Sequence, residues 1–137
     1  MCEDGESLLE VMPQSSWVAK AVTIGPDGTA HTDIELLLDA SIQDGTPAQR
    51  AWVQERFRPY PPDALNEPGR LTAFKALGIP TGYITATEDR SVEPHMARLF
   101  ADRLPDPLRI DIPGGHKCML TEPEAVTAAL VAMGAPA

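Results

Sequence analysis

Apolar and polar positions along the chain fall into short blocks, and no block keeps one period for long. Asp4-Gly5-Glu6-Ser7 reads as a turn, with Ser7 or Asp4 placed to cap a short helix through Leu8, Leu9, Val11 and Met12 that Pro13 stops. Trp17 to Ile24 is rich in β-branched and apolar residues and closes on Gly25-Pro26-Asp27-Gly28, which predicts a strand and then a hairpin. Thr29 to Ser41 carries the return strand in this reading, although Ile34 to Leu38 fits strand and helix alike by period. Thr46-Pro47 sets a capping hydroxyl before a proline at the first helical position, and Ala51, Trp52, Val53 and Phe57 follow near helical spacing up to Pro59. From Pro59 to Gly69 four prolines and a glycine predict an extended linker without regular hydrogen bonding, dividing residues 1–69 from residues 70–137 within a single domain.

Past the linker the pattern changes. Ile79 to Thr87 is a strand candidate ending at Glu88-Asp89, followed by a helix with Val92, Met96, Leu99, Phe100 and Leu104 as its core face. Leu108 to Ile112 alternates as a second strand and runs into Pro113-Gly114-Gly115-His116, and Glu122 to Met133 is a helix with Pro123 in its first turn. Strand, helix, strand, helix at this spacing predicts an α/β arrangement with a parallel sheet.

Composition narrows the function more than the fold. A chain of 137 residues with 43% apolar and 23% charged residues is ordinary globular material for one domain. No apolar run approaches the ~20 residues needed to cross a bilayer, and the acidic start Glu3-Asp4-Gly5-Glu6 is unlike a secretory leader, so a cytoplasmic protein without a membrane partner is expected. Eleven Lys and Arg against twenty Asp and Glu leave a formal charge of −9, the wrong sign for gripping nucleic acid. Cys2 and Cys118 lie at opposite ends, which suggests neither a disulfide framework nor a metal knuckle. His31, His95 and His116 are too scattered for a metal site, and no cofactor is implied.

The candidate chemistry sits where strands end. In a parallel sheet ligands gather at the carboxyl ends of the strands. Asp89 follows the first strand of this unit; His116 follows the second after a Pro-Gly-Gly turn that bends the backbone sharply. Were the strands neighbours, carboxylate and imidazole would meet at one rim, with the Asp fixing the ring tautomer and the other nitrogen free as a general base. Simpler roles stand beside these: Asp89 as a helix cap near Val92, His116 bonding a turn carbonyl, His31 and His95 at the surface, Ser91 as a cap. Cys118 reads as a small filler under the loop, though a thiolate beside an imidazolium is chemically sensible.

The stretches IPTGYITATEDRSVEP and LRIDIPGGHKCMLTEPEAVTAAL resemble the C-terminal third of an α/β-hydrolase, with its acid loop, histidine loop and final helix. EDGESLLEVMP and ERFRPYP are similar to the segment after the sixth strand and to the cap linker of the hydroxynitrile lyase and plant methylesterase-like branch. The resemblance implies a partial α/β-hydrolase fold, with residues 1–69 as a small cap-like region and residues 70–137 as the hydrolase segment. It makes Asp89 the acid and His116 the base, and Trp17, Trp52 and Phe57 cap residues near an acyl pocket. The nucleophile elbow Gly-x-Ser-x-Gly is not in this sequence: Ser7, Ser15, Ser16, Ser41 and Ser91 all lack the flanking glycines. Three readings follow: esterase-type hydrolysis of a small ester or acyl substrate with a serine from elsewhere, lyase or cyclase chemistry by Asp89 and His116 alone, or a non-catalytic binding domain. Two parallel strands leave an open sheet edge, so a complementing N-terminal half or a second copy is expected to complete the sheet.

Overall fold

The computed structural model describes residues 3–12, 16–61, 63–70 and 72–134; Cys2, Pro13 and Ser15 lie outside them. Its elements run α1 (Leu8–Val11), α2 (Trp17–Ala21), β1 (Val22–Ile24), β2 (Ala30–Thr32), α3 (Ile34–Ser41), α4 (Pro47–Arg56), α5 (Asp63–Asn66), α6 (Thr72–Ala76), β3 (Gly82–Ala86), α7 (Pro94–Asp102), β4 (Leu108–Ile112), α8 (Cys118–Thr121) and α9 (Pro123–Gly134).

Helix ends follow local chemistry closely. Ser7 and Glu10 form a reciprocal capping box at α1, and Thr46 and Gln49 form another at α4 with Pro47 in the first turn. Asp33 accepts from the backbone N–H groups of Glu35 and Leu36 at 3.0 and 3.1 Å, which settles the ambiguous Ile34–Leu38 stretch as helix α3. Leu37, Leu38 and Ser41 of that helix are buried while Glu35, Leu36 and Asp39 face solvent, the spacing of a helix rather than a strand.

Three expectations need correction. The predicted strand from Trp17 to Ile24 is helical through Ala21, because Ala19, Lys20 and Ala21 favour helix and Val18 and Ala21 bury together one turn apart. The linker is not free of regular hydrogen bonding: Tyr60 exchanges backbone bonds with Ala30 at 2.8 and 3.2 Å, and Asp63–Asn66 makes one helical turn. Leu99 is not core but 52% exposed, since Ala97, Phe100 and Ala101 form the inward row of α7 and Leu99 lies on the far side from Ala97 and Ala101.

Strands β3 and β4 pair in parallel from Gly82 opposite Leu108 to Ala86 opposite Ile112. A Cβ at Gly82 would stand 2.5 Å from Met133 Sδ, so α9 lies tight on that face. Tyr83, one residue on and therefore on the other face, packs in the cluster around Phe100 of α7. The sheet is thus sandwiched between α7 and α9. That cluster joins Met12 and Val18 to Phe100, and a second one, Leu38, Ile42 and Val53, packs against Leu120 of α8. Both cores tie the region before the linker to the α/β unit. No described helix is long and apolar enough to cross a membrane.

Candidate active site

Parallel pairing in register brings the ends of β3 and β4 to one rim, and the two loops stay joined beyond it. Thr87 N–H donates to Ile112 O at 2.9 Å and Glu88 N–H donates to Gly114 O at 3.0 Å. Asp89 and His116 leave these loops facing each other, with Asp89 Oδ2 3.0 Å from His116 Nδ1. A carboxylate can only accept, so the shared proton sits on Nδ1, and in the neutral ring the lone pair is left on Nε2. The other oxygen, Asp89 Oδ1, accepts from Ser91 N–H at 2.7 Å and Val92 N–H at 2.8 Å, which locks the carboxylate plane. The side chain of Asp89 is 11% exposed against 40% for His116. The acid is shielded and the imidazole is reachable, the division of labour that an orienting acid and a proton-transferring base require.

Gly114 makes the turn possible at φ +97°, a conformation that side chains resist. At Gly115 a Cβ would stand 2.7 Å from Gln43 Nε2 and 3.0 Å from Asp44 Oδ1, so that position admits only glycine without displacing its neighbours.

Beside the pair lies a cavity of about 290 Å³ lined by Tyr83, Ala86, Asp89, His116, Cys118 and Met119, among others. Burial, with the Asp89 charge added, raises the Tyr83 hydroxyl above its ordinary value. Burial pushes the Cys118 thiol up as well, and the Asp89 and Asp44 carboxylates push it the same way. That is the direction opposite to the one that activates a cysteine nucleophile.

The three aromatic cap candidates part company. Trp52 and Phe57 line a shallow groove with Val53, Lys117, Met119 and Leu120, and Met119 also borders the His116 cavity. Arg56 stacks on Trp52 at 4.3 Å. Trp17 instead borders a separate space of about 250 Å³ with Met12, Ser91, His95 and Met96, which includes neither Asp89 nor His116. Ser91 does not cap α7; its Oγ is buried without a partner among the described residues, and Asp89 does the capping work for the loop. His95 is exposed beside Glu93 at 3.2 Å, and His31 is tied into the β1–β2 turn by Thr29 and Asp27.

Sequence reasoning passed over Gln43 and Asp44, whose side chains reach the acid and histidine loops. They sit in a turn with no periodicity. Only an otherwise unexplained Asp-Gly pair marked the place.

No serine among the described residues has its hydroxyl bonded to His116. Ser41 Oγ donates to Leu37 O at 2.7 Å, and Ser7 caps α1.

No family model and no curated protein matches the chain. Solved structures do. An extracellular α/β-hydrolase from a Paenibacillus species, described as sharing structural and functional homology with tobacco salicylic acid binding protein 2, superposes with a TM-score of 0.76 at 22% identity, over 97% of this chain and 57% of that one. A pyrethroid hydrolase from Sphingobium faniae gives 0.73 at 19% identity, over 98% of this chain and 58% of that one. Polyneuridine aldehyde esterase gives 0.68 at 15% identity, over 84% and 48%. At such identities the likeness establishes fold. The chain is a partial α/β-hydrolase fold and spans between 48% and 58% of the length of these three structures.

Proposed function

We propose that the chain supplies the acid and the base of a serine-esterase site, with the nucleophile carried by a serine-bearing segment that pairs along the open edge of β3. The observation that carries this reading is the 3.0 Å contact from Asp89 Oδ2 to His116 Nδ1, at a rim where Nε2 has no partner among the described residues and a cavity adjoins. A volume of about 290 Å³ is at the small end for ligand pockets, which suits a small ester or acyl group. Trp52, Phe57 and Met119 offer an apolar wall for it, while Trp17 belongs to the neighbouring space. The setting is a cytoplasmic one.

In this mechanism the serine Oγ attacks the ester carbonyl carbon and passes its proton to His116 Nε2. The imidazolium, held by Asp89, returns that proton to the departing alkoxide as the C–O bond breaks. Water then attacks the acyl-serine, losing a proton to Nε2, and the serine recovers it as the acid product leaves.

The test is turnover of p-nitrophenyl acetate by the chain together with a serine-bearing N-terminal α/β-hydrolase half. Hydrolysis that appears only with both, and that falls by about 10⁶-fold in His116→Ala, supports the reading. A well-folded complex that does not hydrolyse the ester overturns it. Turnover of another substrate without an acyl intermediate would point instead to lyase or cyclase chemistry, and size-exclusion chromatography would reveal a self-paired dimer.

A further inference from the structure

One short turn outside the α/β unit touches both loops of the catalytic pair. It runs from Ser41, the last residue of α3, through Ile42 and Gln43 to Asp44. Lys117 N–H donates to Ser41 O at 3.0 Å, and Gly115 N–H donates to Asp44 Oδ2 at 2.8 Å. The residues on either side of His116 are therefore held from the same turn. Thr121 Oγ1 donates to the same Asp44 oxygen at 3.0 Å, which draws in the end of α8. Gln43 Nε2 donates to Glu88 O at 2.7 Å, one residue before Asp89. The turn itself has little freedom. Ile42 is completely buried, and Arg50 Nη1 donates to Leu38 O and Ile42 O, both at 3.2 Å.

We infer that Gln43 and Asp44 are positioning residues for the Asp89–His116 pair, setting the separation of the two loops and hence the Nδ1-protonated form of His116. The inference deepens the proposed esterase reading and rests on it for its meaning, but not for its test. Loop positions after short strands are otherwise weakly determined, because the ladder ends at Ala86 and Ile112 while the reacting groups lie three and four residues further on. The two backbone bonds between the loops fix their spacing near the sheet. Beyond Gly114 the direction of His116 depends on what holds Gly115 and Lys117, and that is the turn after α3. The close packing of Gly115 against both side chains explains why the approach is possible at that residue.

The test uses the 137-residue chain labelled with nitrogen-15, and reads the ring of His116 by long-range proton–nitrogen correlation at a pH well above the ordinary imidazole value of about 6.5. Wild type is expected to show Nδ1 protonated and Nε2 bare. Asp44→Ala is expected to lose that single pattern, shifting toward the mixture of a free imidazole, with the rest of the amide spectrum retained. Asp44→Asn keeps an acceptor for Gly115 N–H and is expected to restore it. An unchanged His116 ring in a folded Asp44→Ala overturns the inference, as does an Asn variant no better than Ala. If Asp44→Ala does not fold, Gln43→Ala makes the same measurement through Glu88: a shifted ring supports the inference and an unchanged ring overturns it. Where the serine-bearing half restores hydrolysis, Asp44→Ala should lower kcat about 10- to 100-fold with little change in KM. A ring that responds in a complex that never hydrolyses ester leaves the positioning role standing and sinks the esterase reading. Hydrolysis untouched by both variants does the reverse.

Discussion

The α/β unit from β3 to α9 and the region before it are held together in different ways. Within the unit, order comes from main chain: a parallel ladder from Gly82 to Ala86, two more backbone bonds between the loops beyond it, and two helices closing on opposite faces. The earlier region has only a short antiparallel hairpin and helices of four to ten residues, and it attaches to the unit largely by side chains. Glu6 pairs with Arg103 at 2.7 Å, and Gln49 donates to Leu120 O at 2.6 Å. A main-chain ladder tolerates sequence change because every residue brings the same groups. Side-chain attachment is specific to its residues, so the earlier region adjusts the site while the unit carries it.

The sharpest way to break this contrast is through a core that both parts share. Phe100 is 4% exposed in the cluster with Met12 and Val18, and Phe100→Ala should cost about 3–5 kcal/mol, read by urea or thermal unfolding. If the two parts depend on each other as that cluster implies, they will unfold in one transition. Two separate transitions would mean that the attachment is weaker than the contacts suggest.

Smaller effects test the earlier region alone. Asp33→Ala removes the side chain that satisfies two N–H groups at the start of α3 and should cost about 1 kcal/mol by the same measurement. Because α3 leads directly into the turn that holds Gly115, the His116 ring should also respond. A stability loss with an unchanged ring would show that the turn keeps its place without the cap.

The smallest effect is confined to the β1–β2 turn. Hydrogen bonds from Thr29, first its backbone N–H and then its hydroxyl, lower the Asp27 carboxyl from 3.8 to about 2. A lowered folded value means that the carboxylate holds the turn at all pH above the ordinary one and releases it as pH falls toward 2. The protection of the Thr29 amide, its exchange relative to an unstructured amide at the same pH, should therefore fall between about pH 4 and pH 2, while β3 and β4 keep theirs through the onset of that change.

Much of the unit could be read directly from the chain. Leu108 to Ile112 alternates and Pro123 marks a first helical turn, and both elements stand where those signals put them. The positions of Asp89 and His116 at strand ends were readable for the same reason: a strand, a turn signal and an ionisable group lie within a few residues. Trp17 to Ala21 was harder, because Trp and Val suit a strand while Ala and Lys suit a helix, and packing of Val18 against Phe100 decided it. Leu99 was misplaced because an apolar stripe read from sequence has no fixed edge, and only the sheet shows which row of α7 faces inward.

The sequence by itself determined most of the local elements, the loops on which Asp89 and His116 ride, and the lack of a glycine-flanked serine, since caps, alternation and motif spacing act over a few residues. Tertiary structure decided that β3 and β4 are neighbours in register, that Asp89 Oδ2 comes within 3.0 Å of Nδ1 of His116, and that a turn more than seventy residues upstream of Gly115 grips the histidine loop. Those contacts join residues far apart in the chain. Their geometry depends on how whole elements pack, a property that no local pattern of residues encodes.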